Sequence, residues 1–187
     1  MTIRQTTKDL LAASIMKLAK TKSVDTIRVR EITKNCGLTS TTFYRHFQDK
    51  YQLLAWIYYQ KIEALIAETN GMVTWNQLLM AFFTPLRENR AFYMNVLKNT
   101  AGQTSFRYIT NDYIIMLLTD DFKKYNGGKA FPEDIQFYLK FYMRALSEAI
   151  IDWFLEGERI PLEEFTALLD AAMPEPLKPY LKQNGSQ

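Results

Sequence analysis

The chain has 187 residues, 48% of them apolar, 23% charged and 14% aromatic, with a formal net charge of +3. That length suits one domain, or a small domain joined to a larger one, and the apolar share excludes a disordered chain. The charge is uneven: residues 1–55 hold ten Lys or Arg against four acids, a net +6, and the other 132 hold thirteen bases against sixteen acids, a net −3. A basic head on a slightly acidic body suits a polyanion such as DNA. A chance excess of solvated lysines gives the same count.

Strand signals are weak, and the Asn-Gly pairs follow helical patterns rather than alternating ones. The expected first helix covers residues 7–20. Thr6 or Thr7 caps it, Asp9 sits in its first turn, and Leu10, Leu11, Ile15, Leu18 and Ala19 form its apolar stripe. A second helix, 28–35, buries Val29, Ile32 and Cys36 before Gly37 ends it. Leu38 plugs the turn. Thr39 caps a short third helix that reaches His46 and buries Phe43 and Phe47. Asp49 caps a fourth helix, 50–69, which Asn70-Gly71 breaks. Helix five covers 75–87, with Pro85 ending or kinking it, and helix six covers 90–98. A long helix, 105–125, precedes a loop at 126–129. Pro132 opens another helix to residue 156, stopped by Gly157, and Pro161 opens a last one to 172. From Pro174 onward the chain reads as an irregular tail. The expected class is all-α, with about nine helices.

Two short helices joined by a glycine turn, with a supporting helix before them, describe a helix-turn-helix. A generic helical hairpin would not explain why the third helix is short and carries Ser40, Thr41 and Thr42, three small hydroxyl residues of poor helix propensity. Small side chains permit close approach of the backbone to another surface. The stretch from Val29-Arg30-Glu31-Ile32 through Gly37-Leu38-Thr39-Ser40-Thr41-Thr42-Phe43-Tyr44-Arg45-His46-Phe47 to Lys50 and Leu53-Leu54 resembles the TetR family of bacterial transcription regulators. Thr33 stands where the family usually has alanine, and Thr41 where it has glycine or proline. The resemblance covers about residues 7–55.

It implies a recognition helix in the DNA major groove and a DNA-binding domain at residues 1–50. Helix four would connect it to a regulatory and dimerisation domain at 51–187. The expected DNA contacts are Arg30, Thr39, Ser40, Thr41, Thr42, Tyr44, His46 and Lys50. Tyr44 and His46 can donate to phosphate oxygens, and Arg30 can fork onto a guanine edge or clamp a phosphate. Tyr44 could instead pack in the core, His46 could cap its helix, and Arg30 could be a solvated charge. Lys50 is a cation at a helix N-terminus, which the dipole disfavours and a nearby phosphate would explain.

The body holds no catalytic constellation. His46 is the one histidine, so Ser-His and Cys-His pairs are not available to it, and no Gly-rich phosphate loop appears. One cysteine and one histidine leave no disulfide framework and no ordinary zinc site, so no metal or cofactor is expected. No apolar run is long enough to span a membrane and the first residues lack a signal-peptide stretch, so the cytoplasm is the expected compartment. Residues 135–155 are apolar nearly all round, which calls for a second covering surface. A two-fold partner is the economical source. The expected seam uses Tyr138, Tyr142, Leu146, Ile150, Trp153, Phe165 and Leu169. An effector pocket is expected among Trp75, Phe82, Phe83, Tyr93, Phe106, Tyr113 and Arg144, although aromatics at helical spacing equally make ordinary core.

Phe83, Leu86-Arg87-Glu88-Asn89-Arg90, Phe92-Tyr93, Gly102-Gln103 and Ser105-Phe106 resemble a subgroup of the family. It includes regulators similar to activators of dihydroxyacetone-kinase operons, some of which sense through a partner protein. The resemblance therefore implies a homodimer on palindromic double-stranded DNA, answering to a small molecule or a partner protein. A helical interaction module with a relict DNA head is the alternative.

Overall fold

In the computed structural model of the chain, residues 5–68, 74–100 and 105–181 are described. The Asn70-Gly71 break, the Gly102-Gln103 step and the Asn184-Gly185 end of the tail lie outside them. The described residues are all-helical, as expected: α1 (Thr7–Leu18), α2 (Val29–Asn35), α3 (Ser40–Tyr44), α4 (Lys50–Glu68), α5 (Trp75–Glu88), α6 (Arg90–Lys98), α7 (Phe106–Tyr125), α8 (Glu133–Leu155), α9 (Leu162–Ala171) and α10 (Lys178–Leu181). Two 3-10 turns, Val24–Thr26 and Glu175–Leu177, complete them.

Helix ends follow local chemistry. Thr6 and Asp9 form a reciprocal box at the start of α1, the Thr6 hydroxyl accepting from the Asp9 N–H and the Asp9 carboxylate accepting from the Thr6 N–H. Gly37 ends α2 at φ 71°, a left-handed backbone that glycine adopts without steric cost. Pro132 caps α8, with Glu133 and Asp134 in the first turn, where carboxylates oppose the positive end of the dipole. Pro85 neither ends α5 nor confines it to residue 87. The helix runs through it to Glu88, held by buried Phe82, Phe83 and Leu86 on its inner face.

The tail also departs from expectation. After Pro174 it folds into the Glu175–Leu177 turn and α10, burying Leu177 completely. Tyr180 packs against Phe122 and Phe131, which stack at 3.7 Å.

The described residues form two compact units. The first takes residues up to Gln60 together with Asn89–Ile109, the second Lys61–Glu88 and 110 onward. In the first, Leu11, Ile15, Ile32, Phe43, Leu53 and Leu54 are wholly buried around the three-helix head. The buried Ser14 hydroxyl on α1 donates to the Ile32 carbonyl at 2.6 Å and accepts from the Asn35 amide at 2.9 Å, tying α1 to α2. Helix α6, which the sequence assigns to the body, packs in this unit. In the second unit Phe83 meets Trp153 and Phe165, whose rings stack 5.0 Å apart.

Candidate nucleic-acid interface

The turn between α2 and α3 is built from backbone hydrogen bonds that only a left-handed residue allows. The Leu38 N–H reaches back to the Thr33 carbonyl at 2.8 Å and the Gly37 N–H to Lys34 at 3.3 Å. Thr39 then caps α3, its hydroxyl accepting from the Thr42 N–H at 3.1 Å and lying 2.9 Å from the Thr42 hydroxyl. Phe43 is fully buried and anchors the short helix. Tyr44, the next residue, therefore turns outward. It is 59% exposed, with its ring edge-on to Phe43 at 5.5 Å.

A groove of about 700 Å³ opens along this edge of the head. Arg28, Arg30, Ser40, Tyr44, Gln48, Lys50 and Tyr51 are among its lining residues. Four of the eight expected contacts thus come together: Arg30, Ser40, Tyr44 and Lys50. Thr39, Thr41, Thr42 and His46 lie outside the groove lining. Thr41 and His46 are exposed, while the Thr39 and Thr42 hydroxyls are engaged with each other in the cap.

Lys50 lines the groove and is also engaged within the head. Its ammonium donates to the carbonyls of Val24 at 2.9 Å, Asp25 at 2.6 Å and Ile27 at 2.9 Å. This resolves the awkward placement of a cation at a helix N-terminus: the charge satisfies the carbonyls around the Val24–Thr26 turn. Burial lowers the Lys50 pKa, and the charges of Asp25, Asp49 and Glu31 oppose that shift. Glu31 pairs with Lys22 and accepts from the Arg28 N–H at 2.9 Å, and these contacts hold its carboxyl below the usual carboxylate range. Each acid of the head at Asp9, Asp25, Glu31 and Asp49 is engaged in a cap, turn or ion pair. Arg28, Arg30 and Arg45 are exposed.

Sequence reasoning missed Arg28, Gln48 and Tyr51 as groove residues. The signal for Arg28 was present, since it immediately precedes the second helix at the same end as Arg30. Gln48 and Tyr51 flank the Asp49 cap, and nothing in their spacing marks them.

The residues expected in an effector pocket divide between the two units. Tyr93 and Phe106 belong to the first, packed edge-on or tilted against Tyr58 and each other. Trp75, Phe82 and Phe83 are buried in the second, where Arg144 is exposed and the Tyr113 hydroxyl donates to Glu63. An open pocket of about 630 Å³ in that unit is lined by α4 and α5 residues such as Leu65, Gln77 and Met80, and by none of those seven.

The expected dimer residues are mostly inside the chain's own core. Tyr142, Leu146, Ile150, Trp153, Phe165 and Leu169 are buried, and Tyr138 is half-buried. The Tyr142 hydroxyl donates to the Leu169 carbonyl at 2.6 Å, joining α8 to α9. Large apolar side chains left exposed on these helices are Phe137, Phe141 and Leu168, at 65%, 61% and 52%. The reason is an excess of apolar residues on α8: one face closes the chain's own core and another remains outside.

Among the described residues, no helix is long and apolar enough to cross a membrane.

Comparison with known proteins gives two successive family matches. Residues 10–57 match the model described as bacterial regulatory proteins, tetR family, and residues 73–174 match a tetR-type model described as transcriptional regulator C-terminal region. Among curated proteins, the HTH-type dhaKLM operon transcriptional activator DhaS of Lactococcus lactis subsp. lactis (strain IL1403) is 27% identical over 90 residues. That alignment spans 48% of this chain and 48% of the relative, so it reaches about half the relative's length. A solved structure described as dihydroxyacetone kinase operon activator DhaS shares the fold at a TM-score of 0.57 and 19% identity, over 89% of this chain and 95% of that one. With one match covering the helix-turn-helix and the other more than half of the chain, the protein belongs to the tetR family: it is a transcription regulator and not an enzyme.

Proposed function

We propose that the chain binds double-stranded DNA through the groove at the α2–α3 turn, as a homodimer on a palindromic operator. The observation that carries this reading is the convergence of Arg28, Arg30, Ser40 and the outward Tyr44 on one exposed groove. The guanidinium groups supply phosphate or guanine contacts, and the tyrosine hydroxyl supplies a phosphate donor. Thr41 and His46 remain candidate contacts on the exposed surface nearby. Thr39 and Thr42 act as the cap that holds α3, and Lys50 as the brace of the preceding turn. The first 50 residues form the DNA-binding domain, α4 connects it, and the remainder regulates and dimerises. A cytoplasmic location follows from access to DNA.

The second copy covers the exposed Phe137, Phe141 and Leu168, with Tyr138 beside them. An effector, either a small molecule or a partner protein, acts by binding more tightly to one separation of the two heads than to the other. A small molecule is favoured by the second unit, where the buried Trp75 indole N–H and the Asn111 amide oxygen find no hydrogen-bond partner among the described residues. Because the named relative activates a dhaKLM operon, the upstream region of a dihydroxyacetone-kinase operon is a first DNA to try, beside that of the chain's own gene. Whether binding represses or activates is read from the position of the operator.

Fluorescence anisotropy with those duplexes over a salt series tests the reading. The expected result is saturable binding whose affinity falls steeply with salt, the logarithmic slope being about −0.9 per phosphate neutralised. Absence of binding to any duplex at low salt would overturn it and favour the interaction module instead.

A further inference from the structure

We infer that Asn95, on α6, is a positioning residue for DNA binding, through which the regulatory part of the chain sets the shape of the DNA-reading head. The inference rests on the DNA-binding reading above. Asn95 lies in the segment matched by the C-terminal regulatory model, yet three of its hydrogen bonds reach into the segment matched by the N-terminal one. Its amide oxygen accepts from the Val24 N–H at 3.0 Å, and its amide nitrogen donates to the carbonyls of Ala19 at 2.8 Å and Lys22 at 2.7 Å. Asn99, one turn along α6, donates to the same amide oxygen at 2.9 Å. Two donors and two acceptors are thus satisfied together, which an amide does in one orientation and a carboxylate or a methyl group cannot.

The location gives this contact its consequence. Ala19 is the C-terminal cap of α1, and Val24 opens the turn that leads to Arg28 and Arg30. The peptide groups of that turn are held from two directions. The Val24 N–H is held by Asn95 from α6, while the Val24, Asp25 and Ile27 carbonyls are held by Lys50 from α4. Asp25, Thr26 and Ile27 line the groove together with Arg28 and Arg30. Asn95 is absent from the groove lining, so its effect on DNA passes through the backbone it holds. A shift of α6 along its axis would move the Ala19–Val24 backbone, and with it the wall that carries the two arginines.

Asn95→Ala, in the full-length chain, tests this. The expected result is DNA binding roughly tenfold weaker, from loss of hydrogen bonds at a partly buried site. The salt dependence should also become shallower, because arginines out of register neutralise fewer phosphates. A loss of folded protein alone would lower the active fraction and leave that slope unchanged. Hydrogen exchange of the Val24 amide should accelerate in the free protein while far-ultraviolet circular dichroism keeps its helical signal, and this arm reads positioning without DNA. Asn99→Ala, which removes only the supporting donor, should move each readout in the same direction by less, and serves if Asn95→Ala does not fold. Wild-type protein that fails to bind any duplex would refute the DNA-binding reading. Wild-type binding with unchanged affinity, salt slope and Val24 exchange in both variants would overturn the role of Asn95 alone.

Discussion

Lys50 carries a charge that its sequence position offers to a phosphate, yet its ammonium is spent on three backbone carbonyls. The distinction is measurable. Lys50→Met should reduce unfolding stability by about 2 kcal/mol in a urea titration, the usual scale for losing hydrogen bonds to a charged group, as well as weakening DNA binding. Arg30→Ala should leave stability nearly unchanged and weaken DNA binding alone, since Arg30 is exposed. Equal stability of Lys50→Met and wild type would return Lys50 to the surface-contact class. A second residue links structure to pH. Burial pushes the Asp121 carboxyl above the usual carboxylate range, against the opposing charge of Lys124. The folded chain then holds that proton to higher pH than the unfolded chain does. The ionised group costs stability at neutral pH, and the cost vanishes once both states are protonated. Asp121→Asn should therefore raise the melting temperature at pH 7 and leave it unchanged near pH 3, in calorimetry at the two pH values. The gain stays under about 1 kcal/mol, because the site is only partly withdrawn from solvent.

At the scale of elements, the sequence made visible those parts whose chemistry is local. The Thr6 cap, the Gly37 stop, the Thr39 and Asp49 caps and helix α6 from Arg90 to Lys98 all follow from residues within one turn of the boundary. The Ser40 and Tyr44 placement was legible too, since a short helix anchored by Phe43 has few other outward positions, and Arg30 was legible as a charge in the first turn of α2. What was hidden depends on distant partners. Lys50 meets carbonyls some two dozen residues earlier, and Asn95 meets a turn about seventy residues away, and no periodicity reports such pairings. The tail was hidden for the same reason: three prolines read as irregular until Leu177 finds its place in the core. Leu177→Ala should accordingly cost about 2–4 kcal/mol in a denaturant titration, as for other fully buried leucines. A cost below about 0.5 kcal/mol would restore the irregular-tail reading. Gly37→Ala offers a cleaner backbone test. Nothing lies within 4 Å of the added methyl group, so its expected cost of about 1 kcal/mol is conformational alone.

The whole molecule must reconcile two demands made on α8. Its Tyr142, Leu146, Ile150 and Trp153 close the chain's own core, while Phe137 and Phe141 stand outside it with parallel rings 6.2 Å apart. Two exposed phenylalanines in register on successive turns fit the proposed seam with a second copy better than they fit open solvent. This separates substitutions at Ile150 and Trp153, which the sequence reading placed in the seam, from substitutions at Phe137 and Phe141, which it did not. Ile150→Glu or Trp153→Glu places a charge in the chain's own core and should unfold it, so it says nothing about association. Phe137→Asp with Phe141→Asp alters an exposed surface, and should keep the helical content and melting behaviour of a folded subunit. Sedimentation should then fall from twice 21.9 kDa to 21.9 kDa. Operator binding should weaken by about 100-fold or more, because the second head no longer benefits from being tethered to the first. A half-site duplex should show the contrast, binding the double variant about as well as it binds one wild-type head. If the wild-type chain sediments as a monomer, no second copy covers this face; if the double variant remains a dimer with full operator affinity, the two heads are joined by some surface other than this face of α8.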